Sequence, residues 1–383
     1  MTLETGVITD AAAMAELRAE WDELAARSSC RVSESYCWAH AGWTCVAGPR
    51  GAELRVVVAR AQGRLVGVWP LARDRMRGWA MLRPLGSDSS ENADMLVEPG
   101  AAALEVGLAL WDTATQQGDV LHVTHVRDSC LLDIVLRRCA ALSARDSADI
   151  RWTDFGTTPD FDRYMASLSS DRRLSVGRMR RRLERDGHVT DSLIEDPLER
   201  AASVDWIIDR KKTWLVERRL HSDWVGTPGY RAFLRQMALD PAGCELLQIH
   251  ALRLDDKVVA MALSLVFGRH HDYYMVGHDP AFDHCSPGTV LMKECIRAAV
   301  AAGRNFDFRI GDQAYKKSWS NRTCGATTWH VALSVRGLPV VGWNAGRLAH
   351  RRLRSRYRLG RAWVITNVIK PLIMTAGLRG TRS

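Results

Sequence analysis

The segment from Asn305 to Trp319, read as NFDFRIGDQAYKKSW, constrains the fold of this 383-residue chain more than any other segment. Phe306, Phe308 and Ile310 alternate with polar residues, which is the pattern of a strand with one buried face. A Gly-Asp turn signal ends this strand, and two lysines follow it. Ligands of α/β proteins tend to bind outside the carboxyl ends of strands. The segment therefore predicts an anion site just beyond Ile310.

The predicted elements follow the same order in the two halves of the chain: an opening helical part, three strands, a helix and a further strand. Residues 129–143 are predicted to be a helix, and 328–335 a last strand. The length also suggests two domains. We expect an α/β fold of two tandem domains, 1–155 and 156–340, each with a mixed sheet flanked by helices, and a tail at 341–383. The boundary is expected within 154–160, which is rich in turn formers.

The overall composition, 46% hydrophobic and 25% charged, is that of a globular chain with an ample core. The nine cysteines are dispersed and form no C-x-x-C pair, so neither a zinc site nor a disulfide framework is indicated. The first residues have no basic start and no apolar run, unlike a secretory signal. These features predict a cytoplasmic protein without a metal.

Positive charge is concentrated at the end of the chain. The 71 residues after Asp312 contain 14 Lys and Arg and no acidic residue, whereas the other 39 Lys and Arg face 44 Asp and Glu. A basic stretch from Arg347 leads into an apolar stretch that is interrupted by Lys370-Pro371 and is too short to span a bilayer. Residues 347–377 are therefore predicted to bind an anionic membrane surface. The alternative is a helix that packs back on the domain with its arginines in water.

Two motifs carry a resemblance to a known family. The run Phe306-Asp307-Phe308-Arg309-Ile310-Gly311-Asp312 with Tyr315-Lys316 resembles the F-D-x-x-x-G-D and Y-K closing motif of the CelD-like acyltransferases. These form the group of acetyltransferases involved in cellulose biosynthesis within the GNAT superfamily, and they are relatives of the FemAB peptidyltransferases. Ser286-Pro287-Gly288-Thr289 and its helix also look like this family. The resemblance covers residues 155–335 best and implies tandem GNAT-like domains, of which the second is catalytic.

The resemblance implies a donor site for acetyl-CoA or another acyl-CoA at Ser286, Gly288 and Thr289, because the start of a helix can hold a pyrophosphate. The sequence departs here from the general superfamily pattern. Asp283 replaces the usual Arg or Gln, Ser286 replaces the first Gly, and Pro287 removes one N–H donor. The alternative is an ordinary Ser-Pro helix cap.

Three residues are candidates for the chemistry. By the resemblance, Lys316 interacts with the acyl group or with substrate phosphate, where an ammonium group stabilises negative charge. Tyr315 would donate a proton to the leaving group, and His278, at the end of a strand, would accept one from an amine. The alternatives are a solvated lysine pair beside a core tyrosine, and a structural histidine.

Supporting roles are expected for further polar residues. Asp307 and Arg309 lie on one strand face and are predicted to form an ion pair that orients the Lys316 loop, while Asp312 is predicted to cap the next turn. Trp214 belongs to a basic and aromatic cluster that in the family lies near the acceptor cleft.

The loop SDSSENAD contains two carboxylates, Asp88 and Asp94, that loosely match an acidic loop of the family. With Trp38, Trp43 and Trp69 nearby in sequence, it is a candidate sugar-binding wall, since aromatic faces stack on sugars and carboxylates bind hydroxyls. The alternative is an exposed turn beside core tryptophans.

These observations predict an acyltransferase that moves an acyl group from a CoA thioester to an amine. The acceptor would be a small-molecule amino sugar or a lipid-linked sugar of envelope or exopolysaccharide synthesis, and the enzyme would be peripheral on the inner face of the membrane. Two alternatives stay open. One is a FemAB-like transferase dependent on aminoacyl-tRNA, favoured by Asp283 and by seven arginines between Arg172 and Arg185. The other is a non-catalytic scaffold, which a fully active Lys316→Ala protein would favour.

Overall fold

The computed structural model describes residues 2–28, 30–86, 92–157, 159–311 and 313–364, and side chains as far as residue 354 except Cys244. Asp88 and Asp312 lie outside the described residues. The first part of the chain contains β1 (Leu3–Ile8), α1 (Ala11–Glu16), α2 (Arg18–Arg27), α3 (Tyr36–Gly42), β2 (Glu53–Ala61), β3 (Arg64–Met76), β4 (Trp79–Pro84), β5 (Leu96–Val97), α4 (Ala103–Thr115), β6 (Val120–Arg127), α5 (Leu131–Cys139) and β7 (Ser143–Thr153).

The second part contains α6 (Phe161–Ser167), α7 (Ser170–Leu183), β8 (Val189–Leu193), α8 (Pro197–Glu217), α9 (Pro228–Leu239), α10 (Pro241–Leu246), β9 (Leu247–Leu254), β10 (Lys257–Phe267), β11 (His270–His278), α11 (Pro287–Ala301), β12 (Asn305–Ile310), α12 (Ala314–Trp319), β13 (Arg322–Ala332) and α13 (Leu338–Val364). Three consecutive helices begin at N-cap residues that can be recognised in the sequence. Asp196, Thr227 and Asp240 each accept a hydrogen bond from a first-turn amide, and a proline follows each of them.

The described strands form a single mixed sheet that runs through both halves of the chain, where one sheet in each domain was expected. Its order is β1-β2-β3-β4-β6-β13-β7-β12-β11-β10-β9-β8, with β5 paired to β3. The closing strand β13 lies between β6 and β7 and is antiparallel to both. β7 in turn pairs with β12 of the second half. The two halves of the chain therefore exchange strands at the centre of the sheet, and the predicted boundary at 154–160 follows β7 directly.

Several elements differ from the sequence prediction. The predicted helix at 129–143 ends at Cys139, and residues from Ser143 form β7 instead. The closing strand begins at Arg322 rather than at residue 328. β1, β4 and β8 were not predicted at all. The sequence of β7, SARDSADIRWT, contains few large apolar residues, and it forms a strand because β12 and β13 supply hydrogen bonds on both its edges.

Apolar packing also joins the two halves. Trp38 of α3 meets Phe233 of α9 edge to face, with ring centroids 4.6 Å apart, in a core that includes Trp21 and Met261. A second core lies beneath α4 and α5, and a third lies beneath α7 and α11. The sheet centre, where the functional site lies, is therefore supported on both faces.

The last described helix, α13, begins at Leu338, inside the predicted second domain. Val341 is buried, and the Arg352 guanidinium donates to the Arg145 carbonyl of β7 at 2.8 Å. This part of the predicted tail packs on the domain. Among the helices of the described ranges, none is both long enough and apolar enough to cross a membrane.

Candidate active site

A cavity of about 940 Å³ opens where β11 and β12 separate. These parallel strands are in register from the His270–Asn305 pair to the Asp272–Asp307 pair, and beyond it they diverge. Residues of β11, β12, α8, the start of α11 and the end of β6 line the space between them. The predicted anion site beyond Ile310 therefore lies in a cavity wall.

The divergence has a local cause in β12. Arg309 has a φ of +62°, in the left-handed region, and the pairing of β12 with β7 is irregular between Asp307 and Ile310. A carboxylate oxygen of Asp307 accepts the Arg309 amide at 2.7 Å. Left-handed backbone at a residue with a side chain costs about 1–2 kcal/mol, so this hydrogen bond stabilises a strained turn. Asp307 thus holds the kink that turns β12 away from β11.

Below the cavity, a buried charge network links the two halves of the chain. The Arg31 guanidinium lies 2.8 Å from Asp272 and 3.5 Å from Asp307, and Arg127 donates to Asp307. Burial alone would raise the pKa of Asp272, but Arg31, Arg309 and Arg127 together hold it below its usual value. Burial, reinforced by Arg31, lowers the pKa of Arg127 to about 10. The protonation state of each carboxylate in this network therefore depends on the charges of the neighbouring arginines.

One wall of the cavity is the start of α11. Ser286, Gly288 and Thr289, the predicted donor-binding residues, all line it. Ser286 has a left-handed conformation (φ +52°) and precedes Pro287, the first residue of a 15-residue helix. The positive end of the helix dipole lies here, while the Thr289 amide donates to the Ser286 carbonyl oxygen at 2.9 Å. The geometry suits an anion, although Pro287 supplies no amide hydrogen.

His278 lies beside this helix start. Its Nε2 is 2.6 Å from an Asp283 oxygen, and both residues line the cavity. The His278 side chain is 29% exposed, so a substrate can reach the ring. An imidazole oriented by a carboxylate is an arrangement that can accept a proton from an amine. Asp283, the residue that departs from the superfamily pattern, is thus the partner of His278.

Lys316 and Tyr315 close the far side of the cavity from α12. Lys316 is only 6% exposed, and its Nζ donates to the carbonyl oxygens of Ile310 at 2.5 Å and of Arg309 at 3.3 Å. The ammonium group therefore holds the end of β12, while it also lines the cavity. Tyr315 is 39% exposed, and burial raises the pKa of its hydroxyl, which keeps the proton on it at neutral pH.

The wall formed by α8 is cationic and aromatic. Lys211 Nζ is 4.0 Å from the centroid of the Trp214 ring, and the Arg218 guanidinium carbon is 5.0 Å from it. Burial, reinforced by Arg218, lowers the pKa of Lys211. Arg210 lies on the Trp206 ring at 5.3 Å. In the described part of the chain, no carboxylate lies within ion-pair distance of Arg210, Lys211 or Arg218. We call these three residues the α8 cations.

The structure separates the predicted sugar wall from the cavity. Trp38 and Trp69 are fully buried, so the expectation that they face a sugar is wrong and they belong to the core. Asp94 is not among the cavity-lining residues, and its carboxylate accepts the amides of Met95 and Leu132, each at 2.8 Å. Trp214, in contrast, lines the cavity.

Several residues of this region were not predicted from the sequence. Arg31 and Arg127 come from the first half and reach Asp272 and Asp307 only through the fold. The hydroxyl groups of Tyr230 and Tyr274 are 2.8 Å apart in the cavity wall. Ligand atoms of Asp186, His284 and Cys285 lie within 4.8 Å of one another.

Comparison with known proteins agrees with this geometry. Residues 170–317 match the family model of the acetyltransferase (GNAT) domain. The crystal structure of FemX is similar over 85% of this chain and 96% of that chain, with 12% identity and a TM-score of 0.59. The C-terminal domain of a putative lysylphosphatidylglycerol synthetase from Agrobacterium fabrum is similar over 88% and 96%, with 13% identity and a TM-score of 0.51. No curated protein matches the chain in sequence.

Residues 170–317 therefore match a GNAT acetyltransferase domain, and the fold of most of the chain is similar to that of FemX. The predicted fold class is confirmed. The narrower CelD-like assignment, the donor and the acceptor belong to the proposal that follows.

Proposed function

We propose that this protein is a CelD-like N-acyltransferase that moves an acyl group from a CoA thioester to the amine of an anionic amino sugar, free or lipid-linked, in envelope or exopolysaccharide synthesis. The observation that carries the proposal is the meeting of three features in one cavity: the start of α11, the divergence of β11 from β12, and the α8 cations. The start of α11 suits the donor phosphates, the divergence of β11 from β12 suits the thioester, and the α8 cations suit an anionic acceptor.

The chemistry assigned to the site is direct transfer. His278, oriented by Asp283, accepts the proton of the attacking amine, whose nitrogen bonds to the thioester carbonyl carbon. The carbon–sulfur bond then breaks, and the Tyr315 hydroxyl protonates the departing thiolate. The proton held by His278 returns through solvent to the Tyr315 oxygen, which restores both residues. Lys316 fixes the end of β12 through two carbonyl oxygens and so positions Tyr315. Holding donor and amine together supplies much of the rate.

The donor assignment predicts opposite outcomes for two substitutions at one position. A Cβ added at Gly288 would lie 3.6 Å from Val276, an ordinary contact, so Gly288→Ala is expected to bind acyl-CoA nearly as the wild type does. Gly288→Asp places a carboxylate beside the donor phosphates and is expected to weaken binding about 10- to 100-fold. Titration calorimetry with acetyl-CoA and longer acyl-CoAs measures both. Equal acyl-CoA affinities in the two variants would show that the donor does not bind at the start of α11.

The acceptor assignment predicts an effect at Lys211. Lys211→Met keeps the aliphatic stem over Trp214 and removes the charge, so KM for a phosphorylated amino sugar should rise about tenfold with little change in kcat. Lys212→Met is the matched control, because Lys212 is exposed and does not line the cavity. Steady-state kinetics with the phosphorylated and the neutral amino sugar separate the two effects. A similar rise in KM for the neutral amino sugar would refute the assignment of the α8 cations to an anionic group of the acceptor.

A second candidate function is aminoacyl-tRNA-dependent transfer, of the FemAB type. Two observations favour it: Asp283 stands where the superfamily usually has Arg or Gln, and α7 presents Arg178 and Arg181 to solvent. Under this alternative, aminoacyl-tRNA would contact α7. The double variant Arg178→Glu, Arg181→Glu would then lose transfer activity. Neither the variant nor the wild type would bind acyl-CoA.

A further inference from the structure

The exposed side of α13 combines cations with the most exposed tryptophan of the described chain. The side of α13 that faces the sheet contains Val341 and Arg352, eleven residues and about three turns apart. Trp343, Arg347 and Arg354 are spaced at four and seven residues and share one exposed side of the helix, about a quarter to a third of a turn from the side with Val341, Asn344 and Leu348. We call Trp343, Arg347 and Arg354 the outer face of α13.

The outer face of α13 is unlike the rest of the surface. Trp343 is 70% exposed, whereas every other tryptophan with a described side chain is buried or half-buried. Arg347 and Arg354 are exposed and, within the described residues, have no carboxylate within ion-pair distance. Leu353, at the edge of this face, is 66% exposed. Indole rings prefer the level of lipid headgroups, and arginines prefer anionic lipids, so both residue types suit one surface.

The charge distribution of the whole chain points the same way. The 71 residues from position 313 carry 14 positive charges and no negative one, while the rest has 39 basic and 44 acidic residues. An anionic surface therefore attracts the exposed arginines of α13 more than it attracts the first 312 residues, in which 39 basic residues face 44 acidic ones. The packing of Val341 and Arg352 against the sheet fixes the helix, so the outer face is presented to a planar partner without rearrangement.

We propose that the outer face of α13 docks the protein on an anionic lipid bilayer, lying in the headgroup region without crossing it. This proposal does not depend on the identity of the donor or of the acceptor. It adds a location to the reaction: an acceptor anchored in the same leaflet would be presented at the membrane surface.

Vesicle sedimentation with the full-length protein tests the proposal. The protein should bind vesicles of phosphatidylcholine mixed with phosphatidylglycerol, and it should not bind phosphatidylcholine alone. Binding should fall as the salt concentration rises. The double variant Arg347→Glu, Arg354→Glu should lower the affinity about tenfold or more, and Trp343→Ala should lower it severalfold.

The matched control is the double variant Arg178→Glu, Arg181→Glu, which makes the same change of charge on exposed arginines of α7. It should bind vesicles as the wild type does, and circular dichroism should show that all variants are folded. Equal loss in both double variants would mean general charge attraction and would overturn the proposal. Binding to tRNA with no binding to either vesicle would overturn it as well, as would equal binding to both vesicles.

Discussion

Replacing Asp307 by Ala is expected to lower the free energy of unfolding by about 3–5 kcal/mol, because it leaves the Arg127 guanidinium, whose side chain is 13% exposed, without its carboxylate. Asp307 is 4% exposed and contacts the guanidinium groups of Arg127 and Arg31, and it accepts the amide of the strained Arg309. Few single substitutions in this chain remove so many buried polar contacts. Urea unfolding followed by circular dichroism gives the change.

The control for this experiment is Asp223→Ala. Asp223 has a histidine partner at 2.9 Å, but its side chain is 78% exposed, so its loss should change stability by no more than about 0.5 kcal/mol. Asp307→Asn should fall between the two, since it keeps an acceptor for the Arg309 amide and removes the charge. If Asp307→Ala were as stable as the control, the network would not hold the two halves together.

The second large effect is expected on catalysis. His278→Gln keeps a polar side chain of similar reach but removes the base, so kcat should fall about 10²- to 10⁴-fold. The affinity for the donor should stay the same, because the group replaced is not part of the α11 start. Calorimetry and steady-state kinetics on the same preparation separate these two quantities.

His221→Gln serves as the comparison for His278. Its ring also lies 2.9 Å from a carboxylate, but it is 86% exposed and does not line the cavity, so kcat should be unchanged. If kcat of His278→Gln were within about threefold of the wild-type value, His278 would not be the catalytic base. Tyr315 would then be the next residue to replace.

Local sequence signals account for the elements that surround the site. β12 was predicted from alternation, and α11 from a Ser-Pro helix start, because both signals lie within a few neighbouring residues. β7 could not be predicted in this way. Its strand is set by hydrogen bonds to β12 and β13, which lie far away in the chain, and its own residues are largely polar.

The same distinction applies to the site. Lys316, Tyr315, His278 and the start of α11 follow strand ends and helix starts, and the structure brings them into one cavity. Arg31 and Arg127 are separated from their carboxylate partners by 241 and 180 positions, so no local pattern could pair them. Trp38 and Trp69, candidates for a sugar wall, belong to the core instead, as do four other tryptophans of the described residues.

A side-by-side donor assay distinguishes acyl-CoA from aminoacyl-tRNA as the donor of this protein. The full-length protein is incubated with acyl-CoA thioesters, and separately with aminoacyl-tRNA, in the presence of phosphorylated amino sugars. Free thiol and product mass are followed together. We expect an N-acylated sugar from acyl-CoA, with one thiol released for each amide formed. Transfer from aminoacyl-tRNA alone, with no acyl-CoA consumed, would contradict this expectation.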